Sequence, residues 1–432
     1  MSGSFARGVG AAVATVAVTA AVVAAGTGAL VVYRSESADV ALHGAGYPSP
    51  SAASDPWGNL STDGYDGERS TGAPASTAAG PALVAPSMKT ATDTRVAVAG
   101  PFRCPSATSL TVKQALMQTL LVGVSGANET GPRGLTDGPT PVGGIVVYDS
   151  SGLTAFRSGV LRQVAGQSPP PIVAVDDEGG RVQRGDALFG TMPSAQQQAR
   201  MDPAQLRALA ARRAKQLASA GVTLNLAPVV DLGGQPAAGP VGDRAYGTSG
   251  ADVATSAGAF AAGMRDGGVL PALTTFPGQG RVTGDPAHVV AQAPSLDSLK
   301  SNDLVPFRQL LTAGPTAVVV GNVTVPGLSS KAGLPATLDP AAYTYLRQQL
   351  GFHGLIITAE LSQHDVIARQ YGTAKATIAA LAAGADMVML DHPGFLEDLL
   401  AQLAAAVASG QLPQARVRDA AAHVLAAKGC RP

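Results

Sequence analysis

Beyond Cys104 the chain alternates between short apolar runs and longer stretches in which apolar residues recur every three or four positions. The runs are Leu120–Val124, Gly144–Tyr148, Ile172–Val175, Thr223–Val230, Leu270–Phe276, Ala317–Val325, Leu355–Leu361 and Ala385–Leu390, eight in all. Helical spacing fills the intervals, as in Pro203–Ala220, Ala251–Asp266, Pro340–Leu350 and Thr373–Ala383. Two further helical stretches, Leu396–Ala408 and Ala415–Ala427, close the chain. Near-continuous apolar strands separated by helices predict a parallel sheet covered by helices. Eight such units predict an α/β fold, a closed (β/α)8 TIM barrel over residues 102–432. A doubly wound open sheet is the alternative, but no GxGxxG motif opens a helix after the first strand.

The first 101 residues follow no such alternation. No charge interrupts the Ala- and Val-rich run from Gly8 to Tyr33, which Arg7 and Arg34 bracket. About 20 apolar residues span a bilayer, whereas a signal peptide carries an apolar region of about 7–15. Val23-Ala24-Ala25 offers a cleavage site, yet Leu30-Val31-Val32-Tyr33 carries the run past it. Residues 1–34 therefore predict an uncleaved transmembrane anchor, with a cleaved signal peptide or a buried soluble helix as alternatives. Residues 35–101 are dominated by Pro, Ser, Ala, Thr and Gly. That composition buries too little apolar surface to offset chain entropy and predicts a disordered linker. The arrangement places the barrel outside the cytoplasm, anchored in the cell membrane by an N-terminal helix or secreted.

Composition narrows the partners. Charged residues make up 14% of the 432 residues and the net charge is zero, against a usual charged share of about 25%. Without a Lys/Arg block, nothing favours nucleic acid. The two cysteines, Cys104 and Cys430, are too few and too far apart to form a zinc site. They stand at the two ends of the barrel, where a closed fold brings first and last elements together, and an oxidising compartment permits a disulfide between them. No cofactor is expected.

In barrels of this kind the chemistry lies where strands end and βα loops begin. Strand three ends in Asp176-Asp177-Glu178-Gly179-Gly180-Arg181-Val182-Gln183-Arg184. The loop after strand four carries Gly242-Asp243-Arg244-Ala245-Tyr246-Gly247. Strand five ends in Thr274-Thr275-Phe276-Pro277-Gly278-Gln279-Gly280, followed by Asp285-Pro286-Ala287-His288. Strand six gives Gly321-Asn322, strand seven Thr358-Ala359-Glu360, and strand eight Asp391-His392. Carboxylates and arginines among glycines, without a phosphate or dinucleotide motif, suit a neutral polyol or sugar. His288 and His392 are too isolated to be metal ligands, so no metal is expected.

These residues also resemble a family. Asp176-Asp177-Glu178-Gly179-Gly180-Arg181-Val182 resembles the D-x-E-G-G-R-V signature of bacterial family 3 β-N-acetylhexosaminidases, and Phe276-Pro277-Gly278-Gln279-Gly280 resembles their K-H-F-P-G-H-G element. Gly351-Phe352-His353-Gly354-Leu355-Ile356 is similar to the run that leads into their nucleophile, and Ala383-Gly384-Ala385-Asp386-Met387 to the run into strand eight. The resemblance implies a retaining glycosidase fold in which a carboxylate attacks the anomeric carbon. By resemblance, Asp176 and Arg244 are the sugar-binding aspartate and arginine.

Three departures make the implied active site degenerate. Ala359 stands where the family has its nucleophilic aspartate, and a methyl group cannot attack carbon. Glu360 is adjacent, but side chains alternate along a strand, so only a bulge would turn it into the same pocket. Thr274-Thr275 replaces the sugar-binding Lys-His pair. The family's Asp-x-His acid/base dyad is stretched to Asp285-Pro286-Ala287-His288. Three functions follow: a non-catalytic carbohydrate-binding barrel of the cell envelope, recognising an N-acetylglucosamine-containing or peptidoglycan-type glycan; an active β-N-acetylglucosaminidase with a displaced carboxylate such as Glu360 or Asp391; or a protein-binding scaffold. Glu178 and Arg181 are expected to brace the loops through an ion-pair network.

Overall fold

The computed structural model describes residues 104–148, 153–237, 239–284, 286, 289–362 and 366–430. The expected anchor and linker lie outside these residues. Among those described, no helix is long and apolar enough to cross a membrane.

Eight parallel strands close into a barrel: β1 Leu120–Val124, β2 Gly144–Val147, β3 Ile172–Val175, β4 Leu224–Asn225, β5 Leu270–Phe276, β6 Ala317–Val320, β7 Ile356–Glu360 and β8 Met387–Leu390. Each pairs with its sequence neighbours, and β8 returns to β1 through Leu120 opposite Val388. Inward residues from successive strands, among them Leu121, Val146, Ala174, Leu224, Ala272, Val319, Ile357 and Met387, fill the interior as one buried cluster. Burying each large aliphatic side chain contributes roughly 1.5–3 kcal/mol before the entropy of ordering it, so the barrel is a packed core and not a pore.

Two strands, β4 and β6, are shorter by five or more residues than the apolar runs that predicted them. β4 stops at Asn225 because Ala227-Pro228 follows, and proline has no N–H for the ladder. β6 stops at Val320. Gly321-Asn322 turns the chain, and Val323–Thr324 then pairs with Ala291–Gln292 in a separate two-stranded ribbon.

The helices begin where the sequence supplies caps. α1, Val112–Gln118, starts with a capping box in which Thr111 and Gln114 satisfy each other's backbone amides. α2, Pro203–Ser219, has Asp202 as cap and proline in its first turn. It packs against α3, Gly250–Asp266. Gly263 allows the close approach, since a Cβ there would lie 2.3 Å from the Arg207 carbonyl oxygen.

The first and last described segments meet. Helix α4, Leu396–Ala408, and helix α5, Gln414–Ala427, pack beside α1 and α1's N-terminal approach. Arg418 of α5 donates to the Ala107 and Thr108 carbonyls. Cys104 and Cys430 are joined in a disulfide with a Cα separation of 5.5 Å, as their positions at the two ends of the barrel predicted.

Candidate carbohydrate site

The C-terminal ends of the strands enclose a cavity of about 280 Å³, lined by Asp176, Arg244, Thr274, Thr275, Asn322, Ala359 and Glu360 together with Leu226, Gln279, Pro286, Val319 and Met389. Small-ligand sites usually run to roughly 300–1,000 Å³. The space suits a single sugar ring. Six residues singled out in the sequence, Asp176, Arg244, Thr274, Thr275, Ala359 and Glu360, are brought together here. Asp285 and His288 lie outside the described residues.

The wall is built from the strand-three loop upward. Asp176 follows directly on β3 and faces the cavity, with Arg184 Nη2 3.8 Å away. Burial, and after it the nearby Glu178, pushes its carboxyl up to about 6. The next residue, Asp177, turns the other way and is fully buried. Asn225 brackets its backbone, accepting from the Asp177 amide at 2.9 Å and donating to the Asp177 carbonyl at 2.8 Å. Gly179 permits the turn after Glu178, with φ of 99° and the Pro193 carbonyl 2.2 Å from where a Cβ would stand.

Glu178 and Arg181 both brace loops, but not as one pair. Arg181 Nε meets Asp243 at 3.0 Å. Glu178, almost wholly buried, takes Arg244 instead: Nε and Nη2 donate to its two oxygens at 2.8 and 2.6 Å. Arg244 Nη1 also donates to the Pro240 carbonyl at 3.1 Å. Of the five N–H groups of a guanidinium, these use three. The pKa of Arg244 is raised; burial opposes the charge, but Glu178, Asp176 and Asp231 outweigh it.

Glu360 corrects the expectation drawn from strand alternation. β7 carries one extra residue against β8, because Met387 faces Ile357 whereas Met389 faces Glu360. This bulge re-aims the chain, so Ala359 and Glu360 both reach the cavity wall. Glu360 is fastened there. Its Oε1 accepts from the Ser362 amide, and its carbonyl accepts from Asn322 Nδ2 at 3.3 Å. Thr337 holds Asn322 in turn, donating to Oδ1 at 2.6 Å.

A similar irregularity sits at the end of β5, where the register against β6 shifts between Thr274 and Phe276. Both threonines line the cavity. Thr275 Oγ1 accepts from Gln279 Nε2 at 2.8 Å. Thr274 is 7% exposed, and its hydroxyl has no hydrogen-bond partner. Behind them, fully buried Asp231 accepts from the Gln279 amide at 2.7 Å. Burial pushes its carboxyl up to about 6 against the hydrogen bonds from Gln279 and Thr275. Gly280 lets the loop close over this point; a Cβ would lie 1.9 Å from the Leu232 carbonyl oxygen.

Beside the cavity, Tyr148 follows β2 with its hydroxyl buried and unpartnered. Burial first, then the fields of Asp176, Glu360 and Asp391, hold it well above the ordinary tyrosine range. His392 is partly exposed and packs on Phe395, ring centroids 4.8 Å apart, as a loop histidine would. Asn225, Gln279 and Asn322 were not singled out as site residues. Each stands at a strand end, which is the one signal the sequence offers for them.

The barrel, the strand-end cavity and the motifs that build it define a glycoside hydrolase domain. The family model for the glycosyl hydrolase family 3 N-terminal domain matches residues 138–427. The chain is 38% identical over 331 residues to beta-hexosaminidase LpqI of Mycobacterium tuberculosis, covering 75% of this chain and 84% of that protein. A family 3 glycosyl hydrolase from Mycobacterium smegmatis superimposes with a TM-score of 0.71 at 37% identity, over 76% of this chain and 99% of the other. A β-N-acetylglucosaminidase from a Paenibacillus species does so with a TM-score of 0.67 at 29% identity, over 74% and 62%. The chain belongs to glycoside hydrolase family 3.

Proposed function

We propose that this protein is a non-hydrolytic, carbohydrate-binding member of family 3 that holds one hexosamine ring of a cell-envelope glycan. The observation that carries the reading is Ala359 on the cavity wall, a methyl group at the position where the family resemblance puts the nucleophilic carboxylate. A retaining glycosidase needs a carboxylate there to attack the anomeric carbon. Polar recognition is retained. Asp176 and Arg244 line the space a ring would fill. The relatives' names, beta-hexosaminidase and β-N-acetylglucosaminidase, point to hexosamine glycans as the class.

One observation favours a second reading. The bulge in β7 carries Glu360 to the same wall, so a displaced nucleophile is geometrically available. Against it, Glu360 Oε1 is engaged by the Ser362 amide, which stabilises the anion and weakens it as a nucleophile.

The reading includes a place of action outside the cytoplasm, with residues 1–34 as membrane tether. The disulfide supports that compartment, since such bonds persist in oxidising surroundings. Calorimetric titration with hexosamine saccharides, run beside a chromogenic aryl N-acetylglucosaminide assay, tests the function. Saccharide binding without turnover is expected. Turnover at ordinary enzyme rates, or no saccharide binding at millimolar concentration, would overturn it. Membrane fractionation of cells expressing the full chain tests the location.

A further inference from the structure

We infer that Lys428 and the Cys104–Cys430 disulfide form one latch: the bond pins a lysine inside the fold, and once the bond is reduced the last turn of α5 opens to solvent when that lysine carries a proton. The inference is independent of the sugar-binding reading.

Lys428 caps α5 and is 5% exposed. A lysine is almost never so buried unless an anion is paired with it. Among the described residues no carboxylate pairs with Lys428. Its ammonium donates to Gln118 Oε1 at 2.5 Å, and Gln118 Nε2 donates to the Pro141 carbonyl at 3.3 Å. Gln118 ends α1 and Pro141 stands shortly before β2, so the group that meets the cation is a neutral amide.

The charges on the elements around it do not offset the ammonium. On α1, Lys113 is exposed. On α5, Arg418 donates to the Ala107 and Thr108 carbonyls, Arg416 and His423 hold Asp386, and Asp419 takes Arg416. Glu397 and Asp398 of α4 and Lys375 of the helix Thr373–Ala383 are exposed. Before β2, Asp137 accepts from Gln167 Nε2 at 2.7 Å. Arg103 and Arg431, which flank the two cysteines in sequence, are themselves cations. Burial holds the Lys428 amine down at about 7, against an ordinary 10.5.

Two restraints keep the lysine in place. The first is the backbone: the amides of Lys428, Gly429 and Cys430 donate to the Val424, Ala426 and Leu425 carbonyls at 3.1, 3.0 and 3.0 Å, and Gly429, with φ of 77°, ends the helix in the left-handed region. A single terminal turn of this kind opens locally without unfolding the domain. The second is covalent, since Cys430, two residues on, is tied to Cys104. A dithiol removes that tie: it gives two electrons and two protons, the S–S bond breaks, two thiols form and the dithiol becomes a disulfide. The three backbone bonds then stand against the hydration of the ammonium. The opened amine binds a proton more readily than the buried one, so opening takes up a proton. From about pH 10 down to about pH 7 the open fraction rises about tenfold for each unit of falling pH, and it is level below that.

The test is acetylation of the full-length chain, in a neutral detergent, by an N-hydroxysuccinimide ester. Mass spectrometry reads the labelling of Lys428 relative to Lys215, an exposed lysine of α2. Oxidised protein and protein reduced by a dithiol and desalted without oxygen are compared at about pH 7 and about pH 9. Lys428 is expected to be protected in the oxidised protein at both. In the reduced protein at about pH 7 it is expected to label at least about tenfold faster than in the oxidised one, and to lose at least about tenfold of that rate by about pH 9. Lys428→Met keeps the length and removes the charge. After reduction at about pH 7, its amides at residues 427–430 are expected to exchange with deuterium at least about tenfold more slowly than those of the native chain. Equal protection of Lys428 before and after reduction, labelling that does not fall as the pH rises, or exchange unchanged by Lys428→Met overturns the latch. Loss of protection throughout α2 on reduction, the mark of general unfolding, also overturns it.

Discussion

Arg244 and Glu178 form a bidentate ion pair in the cavity wall, with donor–acceptor distances of 2.8 and 2.6 Å. The pair joins the loop after β3 to the loop after β4. It also decides the charge seen by a ligand, because the cation nearest the cavity is matched by an anion behind it.

Replacing Glu178 with Gln tests that pairing. The amide offers one acceptor where two were used and leaves Arg244 partly buried without a counter-charge. Breaking a fully buried pair costs about 3–5 kcal/mol. Arg244 is 28% exposed, so a loss on the order of 2–3 kcal/mol is expected here. Urea denaturation measures it as a lower midpoint at unchanged slope. A loss below about 0.5 kcal/mol would class the pair with ordinary surface bridges.

The proposed loss of hydrolysis rests on Ala359 and the two threonines together. The native protein is expected to leave aryl N-acetylglucosaminides intact, since removing a catalytic group in a hydrolase costs on the order of 10⁴–10⁶ in kcat. Ala359→Asp alone is expected to restore little, because a nucleophile also needs an oriented ring. The triple change Ala359→Asp, Thr274→Lys, Thr275→His is expected to exceed any single one. Initial rates on a chromogenic substrate settle the order. If the native protein proved active, loss of turnover in Glu360→Gln would identify the displaced nucleophile.

Asp231 ties stability to pH. Its carboxyl titrates near 3.8 in the unfolded chain and at about 6 in the fold, so the folded state holds the proton more tightly. The resulting stabilisation is complete below about pH 4 and is lost as the pH rises through about 6. At pH 8 the ionised, buried group costs on the order of 3 kcal/mol. Asp231→Asn keeps an acceptor for the Gln279 amide and removes the charge. Its melting temperature is expected to exceed the native value at about pH 8 and to converge on it toward pH 4. A constant offset across that range would show that the substitution acts through packing alone.

The disulfide closes a span of 326 residues. In the chain-entropy view a loop that long stabilises by up to about 5 kcal/mol, though measured gains are often smaller. Cys104→Ala with Cys430→Ala is expected to lower the melting temperature, and added reductant to lower that of the native protein to the same value. No difference between oxidised and reduced native protein would mean that α1 and α5 hold the Cys104 and Cys430 segments together without the bond.

Much of the site was legible because strand ends are legible. Asp176, Arg244, Thr274, Thr275 and Ala359 each follow an apolar run or sit in the loop after one, and barrel topology carries such positions to one face. Glu360 was read to the wrong side, because period-two alternation holds only in a regular strand, and the extra residue in β7 shows itself only in the register with β8. The partner of Glu178 was likewise out of reach: Arg181 is near in sequence, whereas Arg244 is near in space.

The sequence by itself determined the eight-stranded parallel barrel, its family and the meeting of Cys104 with Cys430. Each follows from local periodicity or from residue identity at a topologically defined place. Only the tertiary structure decided which charges are neutralised, which side chains share the cavity and which hydroxyl is left without a partner. Those depend on distances between loops 48 to 66 positions apart in the chain, such as Asp177 with Asn225 and Glu178 with Arg244, and no pattern along a single segment records them.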